Sequence, residues 1–211
     1  MPETVKMILV LTLISGLASL GLSAFNAHTM PFIQENERQY TLRSIKKAIP
    51  GTDKPNPCAE TAPGFDNRPD QDAVCVQGTT VYRGRHNGEL KGVAVVAQGD
   101  KAYSGTITCL IGLSLDGKVT GVEVLKHAET PGLGAKIEAC SWRRQLVGKG
   151  PADMVWKVVK DGGDVDQISG ATISSRSMID AVEKAQAVLA THRERIVHGR
   201  AMKDGEVCHG Q

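Results

Sequence analysis

The sequence of 211 residues lacks the patterns of several common functional classes. Its five cysteines include no Cys-x-x-Cys pair, the spacing typical of zinc sites and thioredoxin-like redox sites. A c-type haem site before His209 would need a cysteine at position 205, where a glycine stands. Aromatic residues make up only 4% of the chain and the formal net charge is only +2. Neither base stacking nor a basic surface therefore indicates nucleic-acid binding.

The chain also lacks a recognisable set of side chains for catalysis. The sequence shows no combination of nucleophile, base and orienting group, and no cluster of metal-ligating residues. The glycine-containing stretches have neither the lysine of a phosphate-binding P-loop nor the glycine count of a dinucleotide fingerprint. We therefore expect no catalytic residue and no metal site, and any redox chemistry must come from a bound cofactor.

One apolar segment is present near the start of the chain. Met7–Ala27 carries no charge and, at about 21 residues and about 1.5 Å per residue, is long enough to span a bilayer. A cleavable signal peptide is the alternative, because Leu22-Ser23-Ala24 offers small residues near a possible cut. We expect the segment to be retained as an anchor. Positive-inside counting does not decide the orientation or even favours the large domain inside the cell, because four positive residues after the segment, Arg38, Arg43, Lys46 and Lys47, outweigh Glu35 and Glu37.

The remainder of the chain mixes strand and helix patterns, which is typical of one α+β domain. We predict a helix over Phe32–Ile49, and strands over Val93–Ala97, Thr106–Leu115, Val119–Leu125 and Trp156–Val159. Asp116-Gly117 predicts a hairpin between the second and third of these strands, and Asp161–Gly163 a turn after the last. The expected architecture is a mostly antiparallel sheet with flanking helices.

The cysteines and the ends of the domain allow further predictions. Cys58 and Cys75 flank a loop over residues 52–67, and they could form a disulfide or be two unrelated loop cysteines. Cys109 falls within a predicted strand and is expected to be a small buried residue. The charged segment Thr191–Gln211 is expected to be a loose tail.

The most informative stretch is Asp166-Gln167-Ile168-Ser169-Gly170-Ala171-Thr172, which runs directly into Ile173-Ser174-Ser175 and a helix. That helix has one apolar stripe, made of Met178, Val182, Ala185 and Leu189. Ser174 or Ser175 is a candidate N-cap, so Thr172 is predicted to lie just outside the helix N-terminus. There, free N–H groups favour an anion by about 0.3–1 kcal/mol. A turn that only caps the helix is the alternative.

A second stretch, Glu129-Thr130-Pro131-Gly132-Leu133-Gly134, predicts a sharply turned loop before a helix near Ala135. Gly134 is expected where close approach or a positive φ excludes a side chain. Taken alone, this loop is equally consistent with an ordinary connection between a strand and a helix.

Asp-x-x-Ser-Gly-Ala-Thr resembles the flavinylation motif of the FMN-binding subunits in Rnf and Na⁺-translocating NADH:quinone reductase complexes. Glu-Thr-Pro-Gly-Leu-Gly resembles the second signature of the same family, and it lies in the right order before the first. The resemblance covers roughly Tyr103 to Ala190 and the anchor, and the short chain is more similar to the Rnf G subunits than to the longer C subunits.

The resemblance implies that Thr172 carries FMN through a phosphoester, attached by a flavin transferase that uses FAD and Mg²⁺. It also implies that the loop from Glu129 to Gly134 packs beside the flavin ring, with Leu133 able to contact one ring face. The cofactor-binding residues expected on this basis are Thr172, Asp166, Ser169, Gly170, Ala171, Ser174, Ser175, Glu129, Thr130, Gly132, Leu133 and Gly134.

By the same resemblance, the chain is an electron-relay subunit of a membrane complex that moves electrons between ferredoxin and NAD⁺, coupled to Na⁺ or H⁺ translocation. Its partners would be the other subunits, the transferase and membrane lipid. It would cross the inner membrane once, with its main domain on the periplasmic or outer face. A membrane-anchored FMN sensor or assembly module without a relay role is the alternative, and an unmodified structural anchor is a third.

These expectations divide the chain into four parts. Residues 1–28 form a transmembrane anchor, and residues 29–90 a membrane-proximal helix and loop region. Residues 91–192 form the FMN-binding domain, and residues 193–211 a C-terminal tail.

Overall fold

A computed structural model of the chain describes residues 2–48, 72–202 and 208. The predicted loop at 52–67, with Cys58, lies outside the described residues. The chain divides into two compact units, Met1–Tyr40 and Thr41–Gln211.

The first unit is formed by helix α1, which runs over Glu3–Ala48 and so continues into the second unit. The sequence predicted an anchor and a separate helix from Phe32, whereas the structure has one continuous helix with Pro31 inside it. Its most apolar window has a mean hydropathy of 2.1 and is not buried in protein. A helix that is apolar on all sides and exposed is typical of a membrane span. By length and composition, α1 can anchor the chain in a membrane.

The second unit contains a five-stranded antiparallel sheet in the order β1-β2-β3-β4-β5. Its strands are β1 (Ala73–Val76), β2 (Thr79–His86), β3 (Glu89–Ala102), β4 (Gly105–Ser114) and β5 (Val119–Lys126). The α+β class, the antiparallel sheet and three predicted strands are confirmed by β3, β4 and β5. The sheet also includes β1 and β2, which lie in the region expected to hold only a helix and a loop.

The predicted strand Trp156–Val159 is wrong. Val158 makes a single parallel bridge with Val165, and a 3-10 helix follows at Val159–Asp161. The reason is that the backbone groups of this segment form hydrogen bonds within the turn that follows it. The N–H of Gly163 donates to the Val158 carbonyl, and the N–H of Val165 donates to the Lys157 carbonyl. Within the described part of the chain, this strand-like segment therefore has no neighbouring strand to pair with.

A short helix, α2 (Cys140–Arg143), follows the sheet, and helix α3 (Thr172–His198) packs against one face of the sheet. The predicted stripe of Met178, Val182, Ala185 and Leu189 is buried, as expected for a helix that covers a sheet. The prediction for Cys109 is also confirmed, since its thiol lies in this core 3.3 Å from the Met178 sulfur. Burial raises the pKa of the Cys109 thiol to about 12, so the thiol is unreactive at neutral pH.

The other face of the sheet receives the C-terminal end of α1. Ile45 and Ala48 pack there in a small buried cluster with Ala94 and Leu110. Gly112 and Gly121, which are paired across β4 and β5, make room for Ala48, because a Cβ on Gly112 would overlap the Ala48 carbonyl. The Thr120 hydroxyl donates to that carbonyl at 2.8 Å.

The predicted loose tail is wrong over its first part. Helix α3 continues to His198, and Ile196 is fully buried. The buried Arg83 guanidinium donates to the carbonyls of Ile196 (3.2 Å) and Gly199 (3.0 Å), and it also forms an ion pair with Asp72. These bonds satisfy carbonyls that a helix C-terminus leaves without partners.

The chain beyond α3 is attached to the first strand. The N–H of Met202 donates to the Ala73 carbonyl at 2.7 Å, and Cys208 forms a disulfide with Cys75. A Cys58–Cys75 disulfide is therefore excluded, because Cys75 already has a partner. Cys140 is also in a disulfide.

Replacing Cys208 by serine should lower the free energy of unfolding by about 5 kcal/mol, because the bridge closes a loop of 133 residues. Thermal unfolding of the full chain in detergent measures the effect. Cys75→Ser and the double variant should behave like Cys208→Ser, since each removes the same bond. A double variant clearly less stable than either single one would contradict the pairing.

Candidate functional site

The first turn of α3 differs from the sequence prediction in one respect. The helix begins at Thr172 with Ala171 at the N-cap, and no side chain caps it in the described part of the chain. Ser174 and Ser175, the predicted caps, are buried inside the first turn. The Ser175 hydroxyl instead donates to the Ala171 carbonyl at 3.1 Å and accepts the N–H of Ile168 at 3.0 Å. The N–H groups at the start of α3 thus remain available to an anion.

The stretch before α3 is held by bonds to its backbone. The N–H of Asp166 donates to the Gln145 side-chain oxygen at 2.7 Å, and the Asp166 carbonyl accepts the Trp142 indole N–H at 2.7 Å. The Asp166 carboxylate itself is exposed, as are Ser169 and Gly170. Trp142 and Gln145 belong to the site's frame, and no spacing in the sequence indicated that they would reach Asp166.

The structure brings the two sequence motifs together. A Cβ on Gly170 would lie 3.3 Å from Leu133 Cδ2, so the loop tip sits over the start of the Gly-Ala-Thr turn. Gly170 has a φ of 77° in the left-handed region, which few other residues adopt. Leu133 is 47% exposed and Ile173, next to Thr172, is 43% exposed. Thr172 is half-buried at this place.

Glu129 is a buried carboxylate, although it lies in a loop. It is only 5% exposed. One oxygen accepts the N–H of Ser104 at 2.8 Å, and the other accepts the Ser174 hydroxyl. The N–H of Glu129 donates to His127 Nδ1 at 3.0 Å, and His127 Nε2 lies 2.9 Å from Glu138. The carboxylate therefore joins the β3–β4 turn, the loop and α3.

The two glycines of the loop serve different purposes. Gly132 has a φ of 77° with open space around it. The expectation of a positive φ at Gly134 is wrong, whereas that of close approach is confirmed: a Cβ there would overlap the Glu129 carboxylate and the Ser174 hydroxyl. A 3-10 helix begins at this glycine and runs over Gly134–Glu138, in agreement with the helix predicted near Ala135.

An exposed ion pair connects the neighbouring turn to α3. Arg176 donates from Nε (2.7 Å) and Nη2 (2.8 Å) to the two oxygens of Asp161. The bond to Arg176 holds the pKa of Asp161 below its usual value. The pair keeps the 3-10 helix Val159–Asp161 beside the first turns of α3.

Comparisons with known proteins identify relatives of this chain. Residues 102–187 match the model of the FMN-binding domain family. The G subunit of the ion-translocating oxidoreductase complex from Aliivibrio fischeri is 34% identical over 197 residues, which are 90% of this chain and 92% of that protein. The corresponding G subunit from Pseudomonas aeruginosa is 40% identical over 121 residues, 55% and 56% of the two chains. The crystal structure of Shewanella oneidensis NqrC aligns at 24% identity with a TM-score of 0.47, over 59% of this chain and 69% of that one.

Replacing Gly134 by alanine should lower the free energy of unfolding by about 2 kcal/mol or more, because the methyl group has no space beside Glu129 and Ser174. Gly132→Asn is the matched control: it adds a larger side chain, but into open space and at a left-handed position that asparagine tolerates. Denaturant unfolding of both variants measures the difference. Equal losses would contradict the crowding assigned to Gly134.

Proposed function

This chain belongs to the family of ion-translocating oxidoreductase complex G subunits, and from that premise we propose that it is the FMN-carrying electron-relay subunit of such a complex. The proposal includes electron transfer between ferredoxin and NAD⁺ coupled to Na⁺ or H⁺ translocation. The other subunits of the complex are its partners. In this proposal the chain has no substrate pocket or catalytic site of its own, and the bound cofactor supplies the redox chemistry.

The attachment point in this proposal is Thr172. The observation that carries it is the start of α3: Thr172 is its first residue, the helix has no side-chain cap among the described residues, and Gly170 turns the chain just before it with a φ of 77°. Free N–H groups and the helix dipole favour a phosphate there. The Thr172 hydroxyl would accept the FMN phosphoryl group from FAD, with AMP as the leaving group, in a reaction of the flavin transferase. When bound, FMN supplies the electron transfer.

The neighbouring residues have distinct roles in the proposal. The exposed Asp166 and Ser169 are contacts for the transferase, and Gly170 and Ala171 allow its approach. Ser175, whose hydroxyl bonds to Ala171 and Ile168, keeps the motif in place. On the other side, Leu133 and the backbone of Thr130 and Gly132 lie beside the flavin ring, where the exposed Leu133 side chain offers an apolar contact. Glu129, Gly134 and Ser174 support that loop from within.

The membrane arrangement in the proposal is a single pass through the inner membrane by α1, in contact with lipid, with the FMN-binding domain on the periplasmic or outer face. The charges that follow the apolar stretch Met7–Ala27 within α1 favour the opposite orientation. The Cys75–Cys208 disulfide supports the outer face, because such bonds form and persist in oxidising compartments and are rare in the cytoplasm. Cys140, which is also disulfide-bonded, supports the same side.

Thr172→Ala should abolish covalent flavin when the chain is expressed with a flavin transferase, because the accepting hydroxyl is lost. Flavin fluorescence in a denaturing gel and an intact mass measure the attachment. Thr172→Val, which keeps the branched shape, should also lack flavin, whereas Thr172→Ser should retain part of it. Flavin undiminished in Thr172→Ala would contradict the assignment.

The Thr172→Ala variant also distinguishes an electron-relay role of the chain from a sensor role. Membranes that contain the whole complex with Thr172→Ala should lose ferredoxin-dependent NAD⁺ reduction. Activity that survives the loss of flavin would favour the sensor or assembly module instead.

The topology is tested with two reporters at one position. Alkaline phosphatase fused after Gln211 should be active, because it matures only outside the cytoplasm, and β-galactosidase fused at the same residue should be inactive. The reverse pattern would place the domain in the cytoplasm and contradict the argument from the disulfide.

A further inference from the structure

Glu129 is a buried carboxylate whose two oxygens are both occupied. Ser104, in the turn between β3 and β4, donates its backbone N–H to one oxygen at 2.8 Å. Ser174, in the first turn of α3, donates its hydroxyl to the other. Three segments that are distant in the sequence thus meet at one side chain, which is 5% exposed.

Both ends of the Glu129–Gly134 loop lie against the Glu129 side chain or are held beside it. Glu129 begins the loop, and Gly134, which ends it, is so close to the carboxylate and to Ser174 that no Cβ fits between them. At its start, the backbone N–H of Glu129 is held by His127 Nδ1 at 3.0 Å. The loop tip at Leu133 therefore has a position relative to Gly170 that depends on the Glu129 carboxylate.

An amide would have nearly the shape of this carboxylate and could bond to the same groups. A glutamine oxygen accepts the Ser104 N–H, and the Ser174 hydroxyl can accept as well as donate a hydrogen bond. Packing and hydrogen bonding alone thus do not require a charged group here. Burying a charge is costly even when it is well hydrogen-bonded, so a buried carboxylate where an amide would fit is a candidate for a role of the charge itself.

We propose that Glu129 is a positioning residue with two effects: it sets the loop against the start of α3, and its fixed negative charge lowers the reduction potential of the flavin without contacting it. The inference rests on the proposed function, because it presumes FMN at Thr172. A negative charge close to a group that gains electrons disfavours that gain, and a weakly screened site strengthens the effect.

Two substitutions should shift the flavin potential in opposite directions. One removes the negative charge, and the other removes a hydrogen-bond donor that partly offsets this charge. Glu129→Gln keeps the shape and removes the charge, so the flavin midpoint potential should become more positive. Ser174→Ala keeps the charge and removes one donor that offsets it, so the potential should become more negative. A role in folding alone predicts no such ordered pair of shifts.

The measurement is spectroelectrochemistry of the purified, flavinylated full chain in detergent, with in-gel flavin fluorescence and the unfolding temperature recorded for each variant. Asp180→Asn is the matched control. Asp180 also accepts a backbone N–H, that of Asp100 at 2.9 Å, but it lies more than two helical turns beyond Thr172 and also pairs with Lys184. Its loss changes the net charge equally, and the potential should stay at the wild-type value.

A Glu129→Gln potential equal to that of Asp180→Asn, or shifts of the same sign in Glu129→Gln and Ser174→Ala, would overturn the inference. If Glu129→Gln does not fold, Ser174→Ala decides alone, and a wild-type potential in that variant overturns the inference. Failure of the proposed function is a separate result, because a wild-type chain without covalent flavin yields no potential at all.

Discussion

The packing of α3 on the five-stranded sheet is the contact on which the rest of this domain depends. The buried stripe of the helix fixes both its rotation and its position along β3 and β4. The positions of the residues in its first turn therefore depend on apolar packing farther along the same helix. The stripe buries four apolar side chains, and complete burial of a large apolar side chain stabilises the fold by about 1.5–3 kcal/mol. This contact gives Thr172 and Ser174 a defined place relative to the loop before α2 (Cys140–Arg143).

The site combines a rigid frame with exposed small residues. The Asp166–Ala171 backbone is bonded to Gln145, Trp142 and Ser175, and the loop is bonded through the buried Glu129. On the surface lie Leu133, Gly170 and Ile173. Such an arrangement suits a tethered cofactor, because the tether limits the distance the group can travel and the frame decides which face it meets.

Much of the fold could be predicted from local patterns. Alternating apolar residues indicated β5, Asp116-Gly117 indicated the hairpin before it, and the spacing of four buried residues indicated α3. The Asn87-Gly88 pair is an equally strong hairpin signal, with φ values of 52° and 78°. It could have indicated the pairing of β2 with β3, although a helix and a loop were expected before β3. The site motifs were located through a resemblance, since local physics alone is equally consistent with ordinary turns.

The errors have two causes: contacts between residues far apart in the sequence, and local hydrogen bonds that the residue types do not reveal. Nothing near Cys75 indicates that its partner is Cys208, and nothing near Ile196 indicates that Arg83 will reach the carbonyls at the end of α3. The residue types at Trp156–Val159 also do not reveal that the backbone of this segment forms its hydrogen bonds within a turn. The N-cap was misplaced because the Ser175 hydroxyl, which could cap a helix, bonds to Ile168 and Ala171 instead.

The attachment of the chain's end to β1 has a consequence for biogenesis. Synthesis from the N-terminus makes β1 and β2 before α3, residues 199–202 and Cys208. Until then, Arg83 lacks the carbonyls of Ile196 and Gly199, and Ala73 lacks the N–H of Met202. The domain is thus completed only after synthesis of its last segment, and a truncated nascent chain leaves an open sheet edge that chaperones or proteases can recognise.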